Sequence, residues 1–348
     1  MEIGKEKVFI IAEAGSNWRM GTPKRDLAMA KALIDVAVEA GADAVKFQVY
    51  RPETVYVENA GTSDYLSAAN ITEDIREIFA DLAMPYDMVP RVAEHCRATG
   101  ILFMSTPFSP ADFAAVDPYV EVHKNASYEI SHLRLIELGA RSGKPYIQST
   151  GASDEGDIRW AVETFRKNGG KQLVLMQCTA SYPAPLDSLN LKVLPWLAQR
   201  FGATVGLSDH SRDPVTAPVA AVALGARAIE KHYTLDNRLP GPDHAFAVTP
   251  AELKAMVTAV RSAERALGDG VKRVLPAEEE LFAYARRRVQ AIRPVAKGEM
   301  LREDVNIAIL RPGRQRAGVH PRRLAELEGR KAARDIALGD GIQPGDWV

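Results

Sequence analysis
Eight short apolar runs alternate with helix-like stretches over most of this chain, and that alternation constrains its fold more than any other feature. The runs are Val8–Ala12, Ala44–Gln48, Leu102–Ser105, Val120–His123, Tyr146–Ser149, Leu173–Gln177, Thr204–Leu207 and Ala226–Ile229. Between them lie stretches such as Lys24–Ala40, whose apolar residues recur at helical spacing, and glycines such as Gly41 and Gly100 stand where a helix would stop. Strands that alternate with helices predict a parallel α/β sheet. Eight such units in about 250 residues match a closed (β/α)8 TIM barrel. An open doubly wound sheet is the main alternative, but no glycine-rich dinucleotide fingerprint follows the first run. The long piece Arg51–Asp87 is expected to extend a strand-to-helix loop over the barrel rim.

Composition narrows the class. The chain has 348 residues, a net charge of −1 and 46% hydrophobic residues, which leaves room for one large domain and a small one. No charge excess points to nucleic acid or an anionic membrane. No apolar stretch approaches the roughly 20 residues of a membrane span. The opening MEIGKEKVFIIAEAG reads as a first strand rather than a secretory leader. Cys96 and Cys178 have no motif spacing and are expected to be packing residues in a reducing cytoplasm.

The pattern changes near residue 270. Residues 1–275 are expected to form the barrel, 276–287 a linker within the charged stretch EEELFAYARRR, and 288–348 a small β-rich module. That module carries a weak internal echo, VAKGEMLREDV (295–305) answered by IALGDGIQPGDWV (336–348). So short a module has little core of its own and is expected to pack against a barrel, its own or a partner's.

Two histidines, His210 in GLSDHS and His232 in AIEKHYT, follow successive strand-like runs. In a barrel both would reach the C-terminal rim, where such folds keep their chemistry. Either they are unrelated polar residues, or two neutral imidazoles with open positions form a divalent metal site. Polar residues follow the other runs as well: Glu13, Asn17, Lys46, Gln48, Ser105, Thr106, Lys124, Ser127, Glu129, Ser149, Thr150, Thr179, Tyr182, Ser208, Asp209 and Lys231. Each alone could be a cap or loop residue. Together, lysines and hydroxyls on one rim suit a small phosphorylated anion. A metal beside it would polarise a carbonyl. Phosphate plus an electrophilic carbonyl suggests carbon–carbon bond formation or cleavage, and the residues alone lead no further.

The segments FIIAEAGSNW, EAGADAVKFQ, FMSTPFS, KPYIQSTG, CTASYPAP, GLSDHS, AVALGARAIEKHYTLD and LPGPDH resemble the sialic acid synthase family nearly end to end. ILRPG sits in a module similar to that family's antifreeze-like (SAF) domain. The resemblance implies a metal-dependent cytoplasmic enzyme that condenses phosphoenolpyruvate with an N-acylated sugar aldehyde. His210 and His232 would hold the metal, Mn2+ by family habit, with Mg2+ or Co2+ as alternatives. Lys46, Thr106, Ser127, Ser149 and Ser208 match positions around the phosphate, and Lys124 matches one near the carboxylate. Gln48, Glu129, Tyr182 and Asp243 match positions that face the acceptor. Arg311 would reach from the SAF module of one subunit into the barrel of the other in a domain-swapped homodimer.

The chain also departs from the family. Where the family shows Gly-x-Asn-His, this chain has GSNWRMG, with Trp18 and Arg19 after Asn17. This is either drift in a loop or an altered acceptor pocket in which Trp18 stacks on the sugar and Arg19 pairs with a polar group. NASYE (125–129) resembles the ASFE of pseudaminic acid synthases, and Arg286 stands where an aromatic can occur. A non-standard acceptor is therefore expected. Two other functions compete: a catalytically weak sugar-binding homologue, and a retro-aldol lyase acting on a keto acid.

Overall fold
The computed structural model describes residues 2–62 and 73–348. The middle of the expected rim extension, residues 63–72, lies outside the described residues. The chain divides into two units, Met1–Gly268 and Asp269–Val348.

The first unit is a (β/α)8 barrel. Its strands are β1 (Phe9–Gly15), β2 (Ala44–Val49), β3 (Leu102–Pro107), β4 (His123–Asn125), β5 (Tyr146–Ser149), β6 (Leu173–Cys178), β7 (Thr204–Asp209) and β8 (Ala228–His232). They pair in the order β3-β2-β1-β8-β7-β6-β5-β4, and every ladder is parallel. Most strands run further toward their C-terminal ends than their apolar runs suggest, because the polar residues there still belong to the ladder. β4 differs more. The run Val120–His123 is mostly a buried approach that follows a 3-10 turn at Asp117–Tyr119, and the ladder begins only at His123.

Strand alternation sorts the side chains into two layers. Phe9, Ile11, Met104, Val122, Ile147 and Met176 point inward and fill the barrel floor. Ile10, Val45, Phe103, Leu175, Val205 and Ile229 point outward and pack under the helices. Helix Pro23–Ala40 ends at Gly41 with φ 86°, and helix Met88–Thr99 at Gly100 with φ 79°, as the sequence predicts. Helix Pro250–Leu267 starts on a reciprocal cap: Thr249 accepts from the Glu252 amide while Glu252 accepts from that of Thr249. Among the described residues no helix is long and apolar enough to cross a membrane.

In the second unit, the stretch expected as a linker holds an exposed helix, Glu279–Ala285. β9 (Arg288–Ala291) and β10 (Ile307–Leu310) pair antiparallel. The internal echo has a structural counterpart. Val295 and Ile336 exchange reciprocal backbone hydrogen bonds, both 2.9 Å, and Gly298 and Gly339, each three residues on, turn at φ 87° and 80°. Both halves contribute to one small core that includes Val295, Leu301, Ala332 and Ile336.

Candidate active site
Near the C-terminal ends of the barrel strands the inward side chains change from apolar to polar. Glu13 on β1, Lys46 and Gln48 on β2, Thr106 on β3, Lys124 on β4, Ser149 on β5, Cys178 on β6, Ser208 on β7, and Glu230 and His232 on β8 line a cavity of about 610 Å3. Ser127, Glu129, Tyr182, His210 and Asp243 join them from the loops.

The floor is a buried network of charges and hydroxyls. Lys46 Nζ lies 2.6 Å from Glu13 Oε2 and 3.7 Å from Glu230 Oε1, and it donates to Thr106 Oγ1 at 3.0 Å. Lys124 Nζ donates to Ser149 Oγ at 2.7 Å and lies 3.9 Å from Glu230 Oε2. Ser208 Oγ donates to Glu230 Oε1 at 3.2 Å. The Gly151 amide donates to Ser127 Oγ at 3.0 Å. A side chain at position 151 would meet that hydroxyl at 2.9 Å and Cys178 Sγ at 3.0 Å, so only glycine lets the backbone come this close.

Burial pushes the Glu13 carboxyl up despite Lys46 beside it. Against the same burial, Lys124 and Lys46 hold Glu230 below the usual carboxylate range. Burial also pushes the Lys124 ammonium down, even with Glu230 in reach. Against burial, Glu13 and Glu230 hold the Lys46 ammonium up, so Lys124 is the lysine short of countercharge, which an incoming anion would supply.

The two imidazoles stand together on one side of the cavity, ring centroids 5.5 Å apart. His210 Nδ1 lies 2.9 Å from the Thr179 carbonyl oxygen. A carbonyl can only accept, so Nδ1 carries a proton and Nε2 is the nitrogen left to meet a ligand. Burial and the neighbouring cations, His210 and Lys46 first, hold His232 well below its ordinary pKa, so it is neutral. His232 Nδ1 is buried without a hydrogen-bond partner among the described residues. Two imidazoles, one neutral with an orphaned nitrogen, are the donor type that suits a divalent ion. Among the described residues no three His, Cys, Asp or Glu side chains are grouped to enclose one. An ion held here would thus keep positions open for substrate or water.

Tyr182 packs on His210 with ring centroids 4.3 Å apart. Asp243 Oδ2 lies 3.7 Å from His232 Nδ1, and burial together with Glu13 pushes its carboxyl up to about 7. Gly15 sits at φ 52°, where a side chain would meet Asp243 Oδ2 at 2.9 Å. Gln48 Nε2 donates to Glu13 Oε1 at 2.9 Å. Burial alone pushes Glu129 up to about 7.

The structure therefore brings together Lys46, Gln48, Thr106, Lys124, Ser127, Glu129, Ser149, Tyr182, Ser208, His210, His232 and Asp243. It does not bring Asn17, Trp18 or Arg19 to this cavity. Asn17 Nδ2 donates to the Tyr233 carbonyl at 2.8 Å. Trp18 is 1% exposed and belongs to the core beneath the helices, not to a stacking surface. Arg19 is turned toward Asp26 and Asp81. Arg311 is an exposed residue of the second unit. Lys231, one residue out of phase with the inward set, points away and pairs with Asp209 at 2.6 Å.

Sequence reasoning gave no role to Glu230, counted Glu13 only among the strand-end polar residues and read Cys178 as packing, whereas all three line the cavity. Glu230 could have been found by counting two residues back from His232 along a strand. It also missed the apolar side of the cavity, formed by Val55, Tyr56, Ile75, Ile78, Phe79 and Leu82. The signal there was IREIFADL, apolar at helical spacing inside a segment read only as a loop.

Comparison with known proteins gives the family. Residues 33–272 match the NeuB family and residues 286–346 the SAF domain. The chain is 40% identical to the spore coat polysaccharide biosynthesis protein SpsE of Bacillus subtilis, over 98% of this chain and 94% of that one. It is 37% identical to a pseudaminic acid synthase of Campylobacter jejuni over the whole of both chains. Among solved structures it is similar to the N-acetylneuraminic acid (sialic acid) synthetase of Leptospira borgpetersenii. That match has a TM-score of 0.69 and 33% identity, covering 80% of this chain and 90% of the other.

Proposed function
The chain belongs to the NeuB family and carries a SAF domain, and from that membership we propose that it condenses phosphoenolpyruvate with the open-chain aldehyde of an N-acylated sugar. In this reading C3 of phosphoenolpyruvate bonds to the aldehyde carbon, whose oxygen takes up a proton. Water adds at C2, and the C2–O bond to phosphate then breaks. The products are inorganic phosphate and a 2-keto-3-deoxy acid three carbons longer than the acceptor.

The observation that supports this reading is two buried lysines with hydroxyls around them, beside two imidazoles in one cavity. Lys46 and Lys124 supply charge for the phosphate and carboxylate of phosphoenolpyruvate, and Thr106, Ser127, Ser149 and Ser208 supply geometry. Glu13 and Glu230 keep the lysines in place while the site is empty of substrate. Glu129, protonated up to about neutral pH, can donate to an acceptor oxygen at the cavity wall. Holding both substrates side by side supplies proximity. A divalent ion on His210 and His232, Mn2+ with Mg2+ or Co2+ as alternatives, would add Lewis-acid polarisation of the aldehyde. The same reading makes the working enzyme a homodimer.

A phosphate-release assay over a panel of aldoses tests this directly. Release should require both phosphoenolpyruvate and an aldose, with a keto acid formed in equal amount. Phosphate release without an aldose, or a keto acid consumed rather than formed, would overturn it.

A further inference from the structure
The cavity has two chemically different sides. Its floor is charged, but one wall is apolar: Val55, Ile75, Ile78, Phe79, Leu82 and Phe108. Four of these come from one face of the helix Ile75–Leu82, at positions i, i+3, i+4 and i+7. Phe79 packs on Tyr50, ring centroids 4.6 Å apart, and on Tyr56 at 5.0 Å.

An eight-residue helix is not stable by itself, so what ties it down sets where the wall stands. Arg51 Nη1 donates to the Met84 carbonyl just beyond its end, and the Ile75 amide donates to the Gly61 carbonyl at its start, both at 3.0 Å. Arg19 is a further tie. Its Nε donates to the Asp81 carbonyl at 2.8 Å and its Nη2 to Asp81 Oδ1 at 2.6 Å. Its Nη1 donates to Asp26 Oδ2 at 2.9 Å. Asp26 is buried in the first turn of the barrel helix Pro23–Ala40, and its other oxygen accepts from the Met20 amide at 2.6 Å. Trp18, sunk in the core, fixes the loop at its base. Arg19 thus joins a barrel helix to the helix that walls the cavity, without entering the cavity itself.

We infer that Arg19 is a positioning residue that sets acceptor selectivity by latching the apolar wall through Asp81. This inference rests on the condensation reading, since it needs an acceptor lying against that wall. A hydroxyl pressed on these side chains loses its bonds to water and gains none, whereas a methyl loses nothing. The latched wall should therefore favour an acceptor whose end remote from the aldehyde is deoxygenated.

The test compares N-acetylmannosamine with its 6-deoxy counterpart as acceptors. The proteins are the full-length enzyme, Arg19→Ala, Asp81→Ala, the double variant and Arg19→Lys. Each is measured for kcat/KM on both aldoses, KM for phosphoenolpyruvate, and Tm. The unmodified enzyme should prefer the deoxy sugar. Each single variant should shrink that preference roughly two- to fivefold, the size expected of a partly exposed ion pair. The double variant should be no worse than Arg19→Ala, because both changes cut one tie. Arg19→Lys should recover part of the preference, and KM for phosphoenolpyruvate should stay unchanged throughout. Equal losses on both aldoses that track Tm, additive effects in the double variant, or an unmoved preference would each overturn the latch. If the unmodified enzyme releases no phosphate with any aldose, the condensation reading falls separately. The latch is then judged by calorimetric affinities for the same two sugars: a preference lost in Arg19→Ala supports it, and an unchanged ratio overturns it.

Discussion

Lys46 Nζ and Glu13 Oε2 lie 2.6 Å apart at the barrel mouth, with side chains only 3% and 0% exposed. Removing one member of such a pair ordinarily costs about 3–5 kcal/mol, because a buried charge is left alone. Here the Glu13 carboxyl is already pushed up by burial and can take a proton instead. Lys46→Met should therefore cost less, about 1–3 kcal/mol. The cost should also depend on pH. A carboxyl whose folded pKa is raised contributes stability below its unfolded pKa and loses it as pH rises through the folded one. Urea melts at pH 5 and pH 8 should show the deficit growing with pH, and a pH-independent deficit would contradict this account.

Glu129 offers a pH test of acceptor recognition. Burial raises its carboxyl from 4.5 to about 7, so it is mostly protonated below that value. If it donates to the acceptor, acceptor KM should rise as pH climbs through about 7. Glu129→Gln, whose amide donates at every pH, should flatten that rise. Parallel rises in the two proteins would place the titration elsewhere.

His123 gives a stability test away from the cavity. It is buried, stacked on Phe113 at 4.2 Å, and bonded through Nε2 to Asp117 Oδ1 at 2.9 Å. Burial, outweighing Asp117, lowers its pKa from 6.5 to about 4. A depressed folded pKa means the contribution is whole above 6.5 and lost as pH falls toward 4, on the order of 3 kcal/mol. Thermal melts between pH 7 and pH 4.5 should show His123→Gln losing less stability than the unmodified protein over that window. Identical slopes would remove His123 as the cause.

The imidazole pair predicts metal dependence that can be read without turnover. His210→Ala and His232→Ala should each weaken Mn2+ binding at least about tenfold by electron paramagnetic resonance, since each removes half of the nitrogen donors. Chelation should abolish phosphate release, and Mn2+ should restore it. Undiminished Mn2+ affinity in either variant would move the ion to another site.

The fold was legible because alternation of strands and helices survives in the order of apolar runs. The site was legible only in part. His210, His232, Lys46 and Lys124 stand out because cations and imidazoles at the ends of apolar runs are conspicuous. Glu230 was hidden beside them, since a strand's inward phase becomes visible only once its register is known. Phase also separates Lys231, which faces outward to Asp209, from its neighbours Glu230 and His232. Trp18 and Arg19 were noticed as a departure but assigned to direct contact. Nothing local in GSNWRMG shows that the indole turns into the core and the guanidinium reaches Asp81, 62 residues away.

The first and last barrel strands are neighbours, with Phe9 to Glu13 in register with Ala228 to His232. During synthesis β1 therefore emerges long before the strand that completes its second edge. At about 5–20 residues per second, the wait from Glu13 to His232 is roughly 10–40 s. Throughout it, the apolar stretch FIIAEAG offers an unpaired edge to any other chain nearby. Crowded polysomes and the supply of nascent-chain chaperones, more than the stability of the finished barrel, should then govern how much of this protein a cell recovers in working form.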